Sequence, residues 1–272
     1  MIDKIYIIWH KPELRDSMVA KVEETFDIPY ECILGPDGNL VDELGNPAFT
    51  LQGYKPATPW KLTDGPNPET HVGDDKYNWR MYDQMAKEWD GDKRSRDHKL
   101  GELACGIAHH RAWLKAQQDG VSSALFLEQD ADLKPFHAIK LKSYLDTMKL
   151  HPHLPSYDML YVGNCSSSIT ETNSHKEIYD WLIIPSFLYC LHAYILTDVG
   201  LSKVIPDMMD NLCVPDEYIP AKFTTRNDKR VHPSLMKLNN DLVTYAIHPR
   251  LVRQLVKDIS GSTTEFSDYY DN

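Results

Sequence analysis

The chain is predicted to be an α/β protein, and three observations carry that prediction. Ile5-Tyr6-Ile7-Ile8 is a continuous apolar run of the kind buried on both faces of a sheet. Pro12 then opens a helical pattern through Leu14, Met18, Val22 and Phe26. Further on, helix-period and strand-like segments alternate, as they do where helices flank a sheet with parallel pairs.

Taken in order, the first βα unit is followed by a change of composition. Residues 35–75 hold six prolines and six glycines among Asp, Asn and Thr, so an irregular surface insertion is expected there. The aromatics Tyr54, Trp60, Tyr77, Trp79, Tyr82 and Trp89 run through and beyond it, which predicts that part of it packs as a lid or a wall facing an acceptor. From Gly101, the residues Leu103, Ile107 and Leu114 with Ala104, Ala108 and Ala112 make a helical stripe closed by Gly120. A strand from Ser123 follows, then an amphipathic helix over 138–150. Strands over 157–162 and 187–196 and a helix over 198–211 complete the pattern. The whole chain is expected to form a single domain over residues 1–272, with no internal repeat.

Composition narrows the function. With 42% hydrophobic and 25% charged residues the chain can bury a core, and a net charge of -11 opposes broad binding to nucleic acid or to an anionic membrane. Cys32, Cys105, Cys165, Cys190 and Cys213 are odd in number and lack paired spacing, which predicts reduced thiols and a reducing compartment. No basic leader or long apolar run marks the chain for export or membrane insertion, so a cytoplasmic location is expected.

The strongest chemical signal is the run from Ser123 to Asp132, an apolar strand ending in Glu128, Asp130 and Asp132. If it stays extended, the three carboxylates alternate with Gln129 and Ala131 and project from one side. Their mutual repulsion is relieved by a divalent cation with hard oxygen ligands, Mg²⁺ or Mn²⁺, which leaves coordination positions open for a phosphate. Ligands of open α/β sheets bind at the carboxyl ends of the strands, where these acids lie. Trp9 and His10 follow the first strand, where a base would approach and stack, and Gly163-Asn164 ends a later strand and can line the same pocket. His109 and His110 are adjacent in a helix and diverge by about 100°, so they cannot form a zinc pair. Lys93, Arg94, Arg96, His98 and Lys99 form a dense basic cluster, read as a solvated loop in preference to a contact for phosphates or an acidic acceptor.

Several segments together resemble glycosyltransferase family 25. Residues 101–109, Gly-Glu-Leu-Ala-Cys-Gly-Ile-Ala-His, resemble the family's GEIGC-x-LSH helix, and Leu125 to Leu133 resembles its LILEDDV strand. Residues 157–163 are similar to WDLIYVG, residues 192–197 to LAYVIS, and residues 214–220, Val-Pro-Asp-Glu-Tyr-Ile-Pro, to PVDEFLP. The likeness covers about residues 98–250. The family's Glu-Asp-Asp reads Glu128-Gln129-Asp130 here, and its N-terminal INL-x-R becomes Ile7-Ile8-Trp9-His10-Lys11.

The resemblance implies a GT-A-type, Rossmann-like mixed sheet flanked by helices and a metal-dependent, inverting hexosyltransferase. The donor is expected to be a UDP-sugar, with galactose or glucose moved to a glycan or hydroxylated acceptor. It implies Glu128 and Asp130 as metal ligands, with His248 as a further one, and His109 near the donor. Inversion needs a carboxylate to take the acceptor's proton, and Asp216 fills that role, with Glu217 second. A catalytically silent sugar-nucleotide or glycan-binding relative and a phosphate-cleaving metal enzyme are the alternatives.

Overall fold

The structure is a computed structural model that describes residues 1–37, 53–55, 57, 60–61, 98–151, 156–164, 176–225, 228, 231 and 233–255. Most of the Pro/Gly-rich insertion, the aromatics from Tyr77 to Trp89 and the basic residues Lys93, Arg94 and Arg96 lie outside the described residues. The chain opens with β1 (Lys4–Trp9), α1 (Pro12–Thr25) and β2 (Tyr30–Leu34), and two short strands, β3 (Trp60–Lys61) and β4 (His98–Lys99), pair with each other. There follow α2 (Leu100–Asp119), β5 (Ser123–Glu128), β6 (Ala131–Asp132), α3 (Phe136–Leu150), β7 (Met159–Tyr161), β8 (Lys176–Tyr179) and β9 (Leu182–Ile184). The last elements are β10 (Ala193–Thr197), α4 (Asp198–Met208), α5 (Pro215–Ala221), β11 (Thr244–Ile247) and β12 (Arg253–Gln254).

Eight strands form one mixed sheet in the order β2-β1-β5-β10-β7-β11-β9-β8. Strand β1 runs parallel to β2 and β5, whereas β10 is antiparallel to both β5 and β7. Period-two alternation sorts the side chains into two cores. Tyr6, Phe126, Tyr194 and Tyr161 face α2, α4 and α5, meeting Ile107, Trp113, Val204 and Tyr218. Ile5, Ile7, Leu125, Leu127 and Ile195 face the other way, onto Met18 and Val22 of α1 and Leu141 and Leu145 of α3. Helices thus cover both faces of a mixed α/β sheet, as expected.

Two expected elements differ. The run from Phe187 becomes a strand only at Ala193, because Cys190 takes a left-handed backbone (φ 68°) that breaks extended pairing, while Phe187, Leu188 and Leu191 sink into the core. The acid-tipped strand does not stay extended either. It ends at Glu128, the chain turns at Gln129-Asp130, and pairing resumes only in β6, which joins β12 in a separate ribbon. Among the described residues no helix is long and apolar enough to cross a membrane. Cys190 is disulfide-bonded, with its partner outside the described residues, so the expectation of reduced thiols fails there; Cys32, Cys105 and Cys213 form no disulfide.

Candidate active site

A pocket opens where the carboxyl ends of β1 and β5 meet the start of α2. Trp9, His10, Cys105, His109, Glu128 and Asp130 line it, with Gly101 and Gln254 at its edge. The sheet brings the first two and the last two together because β1 and β5 are parallel neighbours, with Ile8 opposite Glu128. Helix α2 then lays Cys105 and His109, one turn apart, over the strand ends.

His109 is fully buried and is fixed at both ring nitrogens. Trp113 Nε1 donates to the Tyr194 hydroxyl at 2.7 Å, and that hydroxyl lies 2.8 Å from His109 Nδ1. With its oxygen accepting from Trp113, the Tyr194 hydroxyl donates its own proton to Nδ1, which leaves Nε2–H to donate to Glu128 Oε1 at 2.8 Å. Burial lowers the His109 pKa to about 4, so the imidazole is neutral in this chain of bonds. His110 points elsewhere, accepting from the Tyr54 hydroxyl at 2.7 Å and donating to the Ile205 carbonyl at 3.1 Å, a structural role that agrees with the divergence of adjacent helical residues.

The carboxylates carry the site's electrostatics. Burial raises Glu128 to about 7. It raises Asp130 to about 7 as well, helped by the charge of Glu128 and opposed by Gln254, whose Nε2 donates to Asp130 Oδ2 at 3.0 Å. Asp130 Oδ1 is buried without a hydrogen-bond partner. A buried carboxylate oxygen with nothing to accept from is costly, and a cation or a donor brought by a ligand removes that cost.

Asp216 does not line this pocket. It sits in the first turn of α5, behind Pro215 at the position where proline suits a helix start. Burial first, and then Glu128, raises its carboxyl to about 7, while His109 and the backbone N–H of Cys190 oppose the shift. The charge of Glu128 therefore reaches it. Close packing of α2 on the α4–α5 connection holds this arrangement, since a Cβ on Gly106 would lie 2.4 Å from the Cys213 carbonyl oxygen. Glu217 follows Asp216 in the same first turn, its N–H donating to the Val214 carbonyl at 3.1 Å.

Four other expected site residues fall outside the pocket. Asp132 belongs to β6 and pairs with Lys134 Nζ at 2.8 Å, because the turn at Gln129-Asp130 rotates it away from Glu128. Gly163 follows β7 inside the sheet, where a Cβ would meet His192 Nε2 at 2.2 Å and the Val252 carbonyl at 2.8 Å. Asn164 is fully buried, with its backbone carbonyl accepting from Arg250 at 3.1 Å. His248 lies beside β9, its N–H donating to the Trp181 carbonyl.

Two functional candidates went unread in the sequence. Gln129, the departure from the family's acidic triplet, clamps the end of β1: its Oε1 accepts from the N–H groups of His10 and Lys11 at 3.0 Å each, and its Nε2 donates to His10 Nδ1 at 2.9 Å. That bond places the His10 proton on Nε2, which is buried without a partner at the pocket wall. Cys105 is the other, and its spacing to His109, four residues on one helix face, was the signal available.

Comparison with known proteins finds distant relatives. No family model matches the chain. It is 23% identical over 174 residues to a glycosyltransferase 25 family member of Drosophila melanogaster, covering 64% of this chain and 27% of that protein. A procollagen galactosyltransferase 1 of Danio rerio is 19% identical over 124 residues, 45% of this chain and 20% of its own length. The chain spans about a quarter of the length of the curated relatives it matches, and at this low identity they support a likeness to glycosyltransferase family 25.

Proposed function

We propose that the chain is a GT-A-type, metal-dependent, inverting hexosyltransferase that moves galactose or glucose from a UDP-sugar to a hydroxyl-bearing acceptor. One observation carries the reading: Asp130 presents a buried, unpartnered oxygen beside Glu128 in a pocket at the carboxyl ends of two parallel strands. Two carboxylates form a hard oxygen donor set that fits Mn²⁺ or Mg²⁺, and Glu128 and Asp130 would hold the ion. When bound, such an ion supplies positive charge that offsets the charge gathering on the departing diphosphate.

The protein's own groups do the rest. Trp9 presents an aromatic ring for the base at the pocket wall, its position held by Arg15 stacked over it at 4.7 Å. His10 Nε2–H supplies a hydrogen bond toward the pocket, and Gln129 fixes the ring's tautomer. His109 orients Glu128. Asp216, as carboxylate, takes the proton of the acceptor hydroxyl. The names of the relatives support sugar transfer, and one of them supports galactose.

Calorimetry with UDP and UDP-sugars, with and without Mn²⁺, followed by assay of UDP release, tests the reading. Binding that requires Mn²⁺ and slow UDP release from one sugar nucleotide support it. Binding without turnover points instead to a silent sugar-nucleotide binder, and turnover of simple phosphomonoesters to a phosphate-cleaving enzyme.

A further inference from the structure

The pocket holds a second donor set of different chemistry. Cys105 and His109 stand one turn apart on α2, Glu128 ends β5 opposite them, and one ligand atom from each lies within 4.8 Å of the others. A Cys and a His four residues apart on one helix face is metal-ligand spacing, and the third ligand comes from a rigid strand end. Sulfur, nitrogen and oxygen together disfavour Mg²⁺ and suit a borderline cation. The ring is also supported from behind as metal-bound imidazoles are, since His109 Nδ1 lies 2.8 Å from the Tyr194 hydroxyl, itself tethered by Trp113 Nε1.

We propose that Cys105 Sγ, His109 Nε2 and the Glu128 carboxylate form a thiophilic metal site that takes Zn²⁺, with a fourth position open to the pocket. Binding ionises the thiol, whose proton leaves to solvent as the sulfur–zinc bond forms. The imidazole stays neutral: its proton moves from Nε2 to Nδ1 and is accepted by the Tyr194 oxygen, whose own proton turns off Nδ1, and Glu128 exchanges the Nε2–H bond for the ion. Glu128 also belongs to the proposed hard-cation pair with Asp130. On that reading Zn²⁺ and Mn²⁺ exclude one another, and Zn²⁺ inhibits. The site itself does not rest on that reading.

Cobalt serves as the test, because thiolate ligation gives Co²⁺ a near-ultraviolet charge-transfer band. One equivalent of Co²⁺ added to metal-stripped protein produces this band, and Zn²⁺ abolishes it by displacement. Cys105→Ser removes the band and weakens Zn²⁺ at least about tenfold. Glu128→Gln keeps the band at higher Co²⁺, and Cys32→Ser and Asp130→Asn leave it unchanged. Absence of the band in the parent protein, its survival in Cys105→Ser, or its loss in Cys32→Ser overturns the site. No readout depends on sugar nucleotides, so a failure of UDP binding and a failure of this site are separate results.

Discussion

His109 Nε2 lies 2.8 Å from Glu128 Oε1, and this contact joins the interior of the fold to the pocket. Behind His109 the line of bonds runs through the Tyr194 hydroxyl to Trp113, both fully buried between α2 and the sheet. Tyr194→Phe keeps the stacking on Phe126 and His109 and deletes only the hydroxyl. It strands the Trp113 N–H and His109 Nδ1, at about 1–3 kcal/mol for each buried group left unpaired. Thermal unfolding should shift down by about 2–4 °C per kcal/mol. A Tyr194→Phe melt indistinguishable from the parent would show that the relay contributes nothing.

Asp216→Asn should retain UDP and Mn²⁺ affinity while transfer falls by about 10²–10⁴, the usual worth of a positioned base. Its carboxyl is held up at about 7, first by burial and then by Glu128, so the base is neutral below that pH and competent above it. The rate therefore rises with pH, and a bound cation's charge draws the ascending limb to lower pH. In metal-free protein, the infrared band of protonated carboxyl should disappear through about pH 7, and Asp216→Asn should remove part of it. An unaltered band in the variant would return Asp216 to the ordinary carboxylate range and take it out of the mechanism.

Gln129 is positioned to test whether the end of β1 matters. Gln129→Ala leaves the N–H groups of His10 and Lys11 and the His10 Nδ1 without their partner. The loss should cost about 1–3 kcal/mol and loosen Trp9 and His10, so UDP affinity falls more than transfer at saturating donor. Gln129→Glu, which preserves both accepted bonds, should recover most of the stability. Equal damage from both variants would argue that volume, not the hydrogen bonds, is what Gln129 provides.

What was legible in the sequence was local. The apolar run of β1 and the stripe of α2 follow periods of two or of 3.6 residues, and a chain declares those without its partners. Thus α2 forms over Leu100–Asp119 and Gly120, with φ 67°, ends it. Glu128 and Asp130 were legible as acids at a strand end, but the alternation that added Asp132 assumed an extended chain. The turn at Gln129-Asp130 is made by contacts the local sequence does not contain, since the Gln129 amide meets residues 118 and 119 positions away. Gly163 was read as pocket lining and is instead a place where His192 and Val252 leave no room for a Cβ. The strand expected from Phe187 failed for a related reason: apolarity states that a segment is buried, not whether it pairs.

Gly106 tests how α2 sets the distance to Asp216. A Cβ there would come within 2.4 Å of the Cys213 carbonyl oxygen and 2.9 Å of a Leu212 methyl, and the first of these is backbone that cannot rotate away. Gly106→Ala should cost about 1–3 kcal/mol by overpacking and push α5 outward, so transfer falls beyond what the unfolded fraction explains. Donor binding, which uses the other side of α2, should be spared. A variant that loses donor affinity and transfer in parallel would place the strain at the pocket instead.

The three raised carboxyls also predict how stability follows pH. Glu128, Asp130 and Asp216 sit at about 7 in the folded chain, above their ordinary values, chiefly because burial disfavours the charged form. Unfolded, they ionise in the ordinary range near 4, so between about 4 and 7 the unfolded chain has shed protons that the folded chain still holds. The contribution these groups make to stability is therefore complete below about pH 4, declines as pH rises, and is gone above about 7. As they interact, the decline belongs to the set rather than to single residues. Mn²⁺ offsets the charge that causes it, so the melting temperature should gain more from Mn²⁺ at pH 8 than at pH 5. Asp130→Asn should flatten both the pH dependence and the gain. Melting curves of the metal-free protein that hold steady from pH 4 to pH 8, with an equal Mn²⁺ increment throughout, would mean that these carboxyls are already ionised in the fold and that burial does not poise them for a cation.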